Sequence, residues 1–245
     1  MLRPSDDASP GAAATVRDLV ATWRHADAPE IVADALHRFA GRIALVSSFG
    51  ADAAVLLHMV ARVDPATPVI LVDTRRLFPE TLAYRDALVA RLGLADVRTV
   101  RPAAAALARL DPHEALAGQD PDACCGLRKV SPFETAIAPF AALLTGRRRD
   151  QAVTRRDLAP AERDGAHIRI NPLAGWTAER AATWRRTHGL PEHPLAPQGY
   201  PSIGCVPCTS RVADDEDSRA GRWRGFEKTE CGLHGRRSIA VTTES

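Results

Sequence analysis

The chain of 245 residues is 45% apolar and 25% charged, with a net charge of +2, as is ordinary for a globular protein with one core. This balance does not indicate nucleic acid as the main partner. No apolar run reaches the roughly 18 residues that span a membrane. The N-terminus has two acidic residues and lacks the apolar segment of a secretory signal. We expect a cytoplasmic protein whose residues 1–20 are disordered.

Strands and helices alternate along the first 145 residues. Short apolar stretches followed by polar or glycine-containing turns predict buried parallel strands. These stretches are Ile43 to Ser47, Val69 to Val72 and Ala142 to Thr145. Helices are predicted over Ala53–Val63 and Pro79–Leu92. The alternation predicts an α/β fold, with a twisted, mostly parallel sheet and flanking helices, in which ligands bind beyond the carboxyl ends of the strands.

The regular pattern ends after Asn171. A further helix is predicted from Thr177, which suits an N-cap, to about His188. Residues 193–208 are rich in Pro and Gly, and long irregular segments of compact proteins often form binding loops. We predict one domain over residues 21–225, with a loop-rich C-terminal quarter, and a flexible tail over residues 226–245.

Three strand ends offer candidate binding residues. The segment Ser47–Asp52 follows the first strand, and its small residues let backbone N–H groups face an anion; a simple strand–helix turn is the alternative. Asp73 follows the second strand, where it could hold a ribose hydroxyl or cap the next helix. Gly146 follows the third, before Arg147–Arg149. Three successive arginines cannot all face one way, so at least one is expected in solvent.

The chain has five cysteines, and an odd number favours ligands or a reactive thiol over a disulfide framework. Four of them form two close pairs, Cys124-Cys125 and Cys205-x-x-Cys208. Adjacent side chains diverge by about 100° in a helix, so they reach separate irons of a cluster more readily than one zinc ion. Spacing alone leaves iron–sulfur, zinc and unligated buried thiols open.

The stretch Asp120–Val130 is predicted as a short helix. A separation of four residues then puts Arg128 on the face of Cys124 and Lys129 on the face of Cys125. Because four thiolates make a cluster negative overall, Lys129 would lie between the cluster and an anionic ligand. The alternative is a surface lysine near a helix end.

The fifth cysteine, Cys231, stands alone near the C-terminus in KTECGLH. A thiolate nucleophile needs cations nearby, and Arg219, Arg222, Lys228 and His234 lie within a dozen residues. An incidental exposed thiol is the alternative.

Together, several segments resemble the adenylyl-sulfate reductases of assimilatory sulfate reduction, the iron–sulfur branch of the phosphoadenylyl-sulfate reductase family. The segments are SSFGAD, VDTRRLFPET, CCGLRKV, LTGRRRDQ, INPLAGW, GYPSIGCVPCTSRV, RAGRW and KTECGLH. They extend from residue 47 to residue 234, and CCGLRKV, GYPSIGCVPC and KTECGLH are too long and unusual to be expected by chance. The chain departs from many relatives at Arg75, where they have a glycine.

The resemblance implies an adenine-nucleotide hydrolase-like (PP-loop-like) fold and a 4Fe–4S cluster. The implied cluster ligands are Cys124, Cys125, Cys205 and Cys208. The substrate-binding residues expected at the strand ends are Ser47, Ser48, Phe49, Gly50, Asp52, Asp73, Gly146 and Arg147. The implied catalytic residues are the nucleophile Cys231 with His234 beside it, and the basic groups Lys129, Arg219 and Arg222.

The implied substrate is adenosine 5′-phosphosulfate. Attack by Cys231 on its sulfur would release AMP and leave a Cys S-sulfonate, from which thioredoxin or glutaredoxin would release sulfite. Closure of the tail would exclude water, and the cluster would act through its charge and as a structural element. The resemblance also implies a homo-oligomer.

Three other functions stay open from the sequence. A reductase of the 3′-phosphorylated nucleotide shares the loops and ECGLH but lacks the four cluster cysteines. A PP-loop ATP pyrophosphatase would have a more complete SGGxDS loop than SSFGADA. A zinc-stabilised nucleotide-binding module would leave Cys231 without a role.

Overall fold

The computed structural model describes residues 10–233. Within this range six strands form one sheet in the order β3-β2-β1-β4-β6-β5. In chain order the strands are β1 (Ile43–Val46), β2 (Val69–Val72), β3 (Val97–Val100), β4 (Ala142–Thr145), β5 (Ala161–Asp164) and β6 (His167–Ile170). All neighbours pair in parallel except β5 and β6. The predicted α/β fold with a mostly parallel sheet is confirmed, as are the three predicted strands.

Helices cover both faces of the sheet. They are α1 (Pro10–Thr22), α2 (Ala28–Arg38), α3 (Ala53–Val63), α4 (Pro79–Leu92), α5 (Ala104–Leu110), α6 (Leu116–Gln119), α7 (Pro121–Cys125), α8 (Ser131–Ile137) and α9 (Ala178–Thr187). A π-helix, Gly126–Val130, connects α7 to α8. The predicted helices α3 and α4 are confirmed, and Thr177 caps α9 by accepting a hydrogen bond from the N–H of Arg180.

Alternate residues of the central strands enter two separate apolar cores. Leu45 and Leu71 belong to the larger core, whereas Ala44 and Ile70 belong to a smaller one that includes Phe133 of α8. Successive strand residues point to opposite faces of a sheet. Both faces are therefore buried, which is why these strands are continuous apolar runs.

Residues 10–20, part of the range expected to be disordered, are helical in the structure, and residues 1–9 lie outside the described residues. Helix α1 begins at Pro10, and its Leu19 is only 2% exposed because it packs in the larger core. The larger core therefore includes a residue that precedes position 21, where the domain was predicted to begin. The predicted helix Asp120–Val130 is divided into α7 and the π-helix. Within the described residues no helix is long and apolar enough to cross a membrane.

The C-terminal quarter is loop-rich, as predicted, and the buried His193 ties it to α4. The Nδ1 atom of His193 accepts a hydrogen bond from the N–H of Leu195 (3.2 Å). The proton is therefore on Nε2, which donates to Oγ1 of Thr81 (3.1 Å). The hydroxyl of Tyr84 donates to the carbonyl of Pro191 (2.9 Å). Burial lowers the pKa of His193 to about 4, although Glu80 opposes this shift.

We predict that His193 makes the protein less stable as the pH falls from about 6.5 to about 4. In this range the unfolded chain binds a proton at His193 and the folded chain does not, so the free energy of unfolding falls by at most about 3 kcal/mol. Denaturant unfolding at several pH values should show a shallower pH dependence for His193→Gln. The exposed His113 supplies a control, since His113→Gln should keep the wild-type dependence. Equal slopes for wild type and His193→Gln would refute the assignment.

Candidate functional site

A cleft at the carboxyl edge of the sheet joins the strand-end loops to the C-terminal quarter. Its walls come from the loops after β1 and β4, from residues 201–204 and from the segment around Cys231. The predicted site residues that line it are Ser47, Ser48, Gly50, Asp52, Lys129, Gly146, Arg147, Arg219, Arg222 and Cys231. Residues more than 180 positions apart in the chain therefore share one cleft.

Two predicted residues that the structure describes, Phe49 and Asp73, do not line the cleft. The ring of Phe49 is fully buried in the larger core, and its N–H donates to Oγ of Ser47 (3.1 Å). Asp73 is buried and accepts a hydrogen bond from Nε of Arg101 (2.8 Å). An apolar ring gains more from the core, and a buried carboxylate needs a cation. His234 lies outside the described residues.

Arg75 occupies a backbone conformation that favours glycine. Its φ is +60°, which costs a non-glycine residue about 1–2 kcal/mol. Two hydrogen bonds stabilise the turn, because the N–H of Arg75 donates to Oδ1 of Asp73 (2.9 Å) and the N–H of Arg76 to Oγ1 of Thr74 (3.2 Å). Arg75 therefore adopts the left-handed conformation of this turn although it has a side chain.

The three arginines after β4 have different environments. Arg149 is exposed, which confirms that they do not all face one way. Arg147 is buried, where its Nη2 donates to Oδ1 of Asn171 (3.0 Å) and to the carboxylate of Glu162. Burial lowers the pKa of Arg147 in spite of this ion pair. Among the strand-end arginines, Arg147 is therefore the cation that faces the cleft.

Arg148 connects two of the strand-end loops. It is 4% exposed and donates to Oδ2 of Asp52 (2.6 Å) and to Oδ1 of Asp150 (2.9 Å). Burial alone would lower its pKa, but these two carboxylates outweigh burial and raise it. The carboxylate of Asp52 therefore binds this cation and fixes the loop after β1 to the loop after β4.

The four paired cysteines are buried close to one another. Cys124 and Cys125 end α7, Cys205 precedes a 3₁₀ turn, and Cys208 is the last residue of that turn. Burial raises the pKa of Cys124 to about 11, and the thiols of Cys125, Cys205 and Cys208 add to the shift. Cys205 and Cys208 pack with Trp223, and the half-buried Cys231 contacts this group. The two cysteine pairs and the lone cysteine therefore meet in one region.

This region offers thiols as ligands but is not arranged around one ion. In the described part of the chain, no three Cys, His, Asp or Glu side chains converge closely enough to hold a single metal ion. The buried Nε1 of Trp223 has no hydrogen-bond partner among the described residues. A buried donor without an acceptor costs about 1–3 kcal/mol, so an acceptor beside this indole would be favourable.

Lys129 is the cation next to the thiols. Burial disfavours its charge, but the sulfurs of Cys205, Cys231 and Cys125 outweigh burial and raise its pKa. Arg128 also interacts with Cys124 electrostatically, as expected.

Arg128, however, has structural partners. It is 3% exposed and pairs with Asp111 (2.7 Å), and it donates to the carbonyl of Thr74 (3.2 Å). Arg128 therefore holds the π-helix in place, whereas Lys129 faces the cleft.

The cations predicted near Cys231 have specific supports. The guanidinium of Arg222 lies 4.5 Å from the ring centre of Trp223, and its Nε donates to the carbonyl of Cys208 (3.3 Å). Burial lowers the pKa of Arg222. Arg219 donates to the carbonyl of Thr229 (2.8 Å). Arg219 and Arg222 both line the cleft together with Cys231.

Sequence reasoning missed Arg155 and Glu230. Both line the cleft, and Nε and Nη2 of Arg155 each donate to one carboxylate oxygen of Glu230 at 2.7 Å. The pairing is bidentate, which is the strong arrangement for an arginine and a carboxylate. No short-range pattern links residues 75 positions apart, and the only available signal was the position of Glu230 immediately before Cys231.

Comparison with known proteins finds similar sequences over most of the chain. Residues 42–211 match the family described as the phosphoadenosine phosphosulfate reductase domain. A relative from Mesorhizobium japonicum, named adenosine 5′-phosphosulfate reductase, is 52% identical and covers 95% of this chain and 93% of its own. One of the same name from Chelativorans sp. is 49% identical over 89% of each chain. A phosphoadenosine 5′-phosphosulfate reductase from Gloeobacter violaceus is 38% identical over 90% of this chain and 93% of its own.

Solved structures with lower identity share the fold. The phosphoadenylyl-sulfate reductase of Candida auris superposes with a TM-score of 0.70 at 24% identity, over 86% of this chain and 99% of its own. The FMN adenylyltransferase of Candida glabrata has a TM-score of 0.55 at 16% identity, over 86% of this chain and 70% of its own. The expected PP-loop-like nucleotide-binding fold is confirmed.

Two glycines near the cleft should respond differently to a methyl group. At Gly221 the added carbon would collide with the backbone oxygen of Ser210, whereas at Gly204 it would collide with the guanidinium of Arg222, the end of a flexible side chain. We predict that Gly221→Ala lowers the free energy of unfolding by about 1–3 kcal/mol. Gly204→Ala should cost about 1 kcal/mol or less, from the loss of the Arg222–Trp223 stacking. Urea unfolding measures both, and equal losses would contradict the contacts described.

Proposed function

The chain belongs to the phosphoadenosine phosphosulfate reductase family, and from this membership we propose that it reduces adenosine 5′-phosphosulfate to sulfite and AMP in sulfate assimilation. The observation that carries the proposal is the position of Cys231 in one cleft with the strand-end loops and the cations Lys129, Arg219 and Arg222. Relatives at 52% and 49% identity that are named for this nucleotide support it as the substrate.

The proposed reaction has two steps. First, the thiolate of Cys231 attacks the sulfur of the nucleotide, the sulfur–oxygen bond to AMP breaks, and a Cys S-sulfonate forms. Second, a thiolate of a dithiol donor such as thioredoxin attacks Sγ of Cys231 and releases sulfite. This attack leaves a mixed disulfide between the donor and Cys231, from which the second thiolate of the donor then displaces Cys231. The donor becomes a disulfide, so it supplies the two electrons that the sulfur gains.

The cations have separate parts in this proposal. The nucleotide carries negative charge on its phosphate and on its sulfate, and both need cationic partners during the attack. Lys129, Arg219 and Arg222 would hold the sulfonate end near Cys231. The loop Ser47–Asp52 and Arg147 would hold the phosphate, since backbone N–H groups of a strand–helix loop suit an anion.

The four buried thiols fit an iron–sulfur cluster better than a zinc ion. Each cluster iron takes one thiolate, so the four sulfurs need not converge on a single ion. Trp223, whose indole N–H has no partner among the described residues, packs against Cys205 and Cys208, and cluster or cysteine sulfur would give this N–H an acceptor. The residues that would hold a 4Fe–4S cluster are Cys124, Cys125, Cys205 and Cys208. When bound, the cluster would supply negative charge beside Lys129 and a link between α7 and the C-terminal quarter.

The cluster assignment predicts the metal content of the protein. Anaerobically purified protein should contain iron and acid-labile sulfide in about equal amounts and show the absorbance of a cluster. Cys208→Ser should lose most of both, because Cys208 is a proposed ligand, whereas Cys231→Ser should keep them. Stoichiometric zinc without sulfide would instead favour a zinc-stabilised module.

The proposed nucleophile predicts a covalent intermediate. Wild-type protein incubated with adenosine 5′-phosphosulfate and no reductant should gain a sulfonate of about 80 Da, mapped by peptide mass spectrometry to Cys231. Thioredoxin with its reductase should remove the adduct and release sulfite.

Cys231→Ser is the control for this experiment and should form no adduct while it still binds AMP. Absence of an adduct from wild-type protein that retains its cluster would refute the reductase proposal. ATP turnover with release of pyrophosphate would then be the next activity to test.

A further inference from the structure

The segment that carries Cys231 is anchored on both sides of this residue. Before it, Glu230 pairs with Arg155. After it, the carbonyl of Leu233 accepts a hydrogen bond from Nη2 of Arg169 (3.0 Å), and Leu233 packs on the smaller core. Between them, Gly232 crosses the π-helix so closely that a β-carbon would lie 2.9 Å from Cγ2 of Val130.

The Glu230 anchor is a largely buried, bidentate ion pair. Its side chain is 15% exposed and that of Arg155 is 10% exposed, so water competes weakly for the pair. Oε1 also accepts a hydrogen bond from Oγ1 of Thr154 (3.1 Å), and Nη2 of Arg219 lies 3.4 Å from Oε2. The carboxylate thus contacts three side chains at once, and a pair of this kind is costly to break when one partner is removed.

This anchor determines where Cys231 can be. Consecutive Cα atoms are 3.8 Å apart, so fixing Glu230 confines Cys231 to the mouth of the cleft. The carboxylate also neutralises Arg155 and Arg219, two cations that line the same cleft. Removing it would take the carboxylate partner from both guanidinium groups while releasing the cysteine, so positioning of the nucleophile and affinity for an anion should change separately.

We propose that Glu230 is a positioning residue, which holds Cys231 over the cleft through its ion pair with Arg155. The inference rests on the proposed role of Cys231 as the nucleophile. It does not make Glu230 a catalytic residue, because its carboxylate acts through the backbone that it anchors.

The anchor can be tested without substrate by the alkylation of Cys231. In anaerobic holoprotein, Glu230→Gln should raise the rate of iodoacetamide labelling at Cys231 about tenfold, as expected for the loss of a charged hydrogen-bonded contact. Arg155→Gln should raise the labelling rate by a similar factor. Cys231 in the double variant should react no faster than in the faster single variant, because both substitutions break the same ion pair. Thr154→Val, on the exposed side of the pair, should raise the rate about twofold to threefold and perturb folding least.

The positioning role is tested by separating chemistry from binding. With saturating adenosine 5′-phosphosulfate, single-turnover adduct formation at Cys231 should be about tenfold slower in Glu230→Gln, while the variant binds AMP at least as tightly as wild type. Glu216→Gln is the matched control, because it breaks a surface pair with Arg224 in the same quarter of the chain. It should change neither the rate of iodoacetamide labelling nor the rate of adduct formation.

The outcomes of the two experiments are distinguishable. If wild-type protein forms no adduct, the proposed function fails, whereas the alkylation rates still report on the anchor. Unchanged alkylation in Glu230→Gln and in Thr154→Val would overturn the anchor. Faster alkylation with an unchanged rate of adduct formation would overturn the positioning role.

Discussion

Buried positive charge at the carboxyl edge of the sheet is the constraint on which the arrangement of the site depends. A cation removed from water without an anionic partner costs several kcal/mol. Arg148 meets this requirement with two carboxylates, Arg155 with Glu230, and Arg128 with Asp111. Each partner comes from a different part of the chain. Pairing these charges therefore brings the loop after β1, the cysteine pairs and the C-terminal segment to the same edge.

The basic groups in and around the cleft are of two kinds. Arg148 and Arg128 are committed to carboxylates and hold loops together, so they are structural. Lys129 and Arg222 are supported mainly by sulfur, an aromatic ring and one carbonyl, which leaves them able to bind an anion. The guanidinium of Arg222 can pack against the backbone of Gly204 because glycine has no side chain in the way. The distance of a basic residue from Cys231 along the sequence would not have shown which residues have structural partners and which can bind an anion.

The parts of the fold that the sequence predicted are those with a strong local signal. Strands β1, β2 and β4 are continuous apolar runs because both faces are buried, and Pro79 marks the start of α4. Strand β3 was missed because it is a half-polar edge strand, and β6 because its Arg169 is buried against Asp164 and the carbonyl of Leu233. Helix α1 was missed because its burial depends on a core built by residues far along the chain.

By itself the sequence determined the residue types of the site, the α/β class and the family that its motifs resemble, because these depend on composition, periodicity and short spacings. Only the tertiary structure decided which partner each charged group takes. Asp111 pairs with Arg128, and Glu230 pairs with Arg155, 75 residues away. Such choices depend on which groups share a poorly solvated space, where an ion pair is much stronger than in water, and that space exists only once the chain has folded.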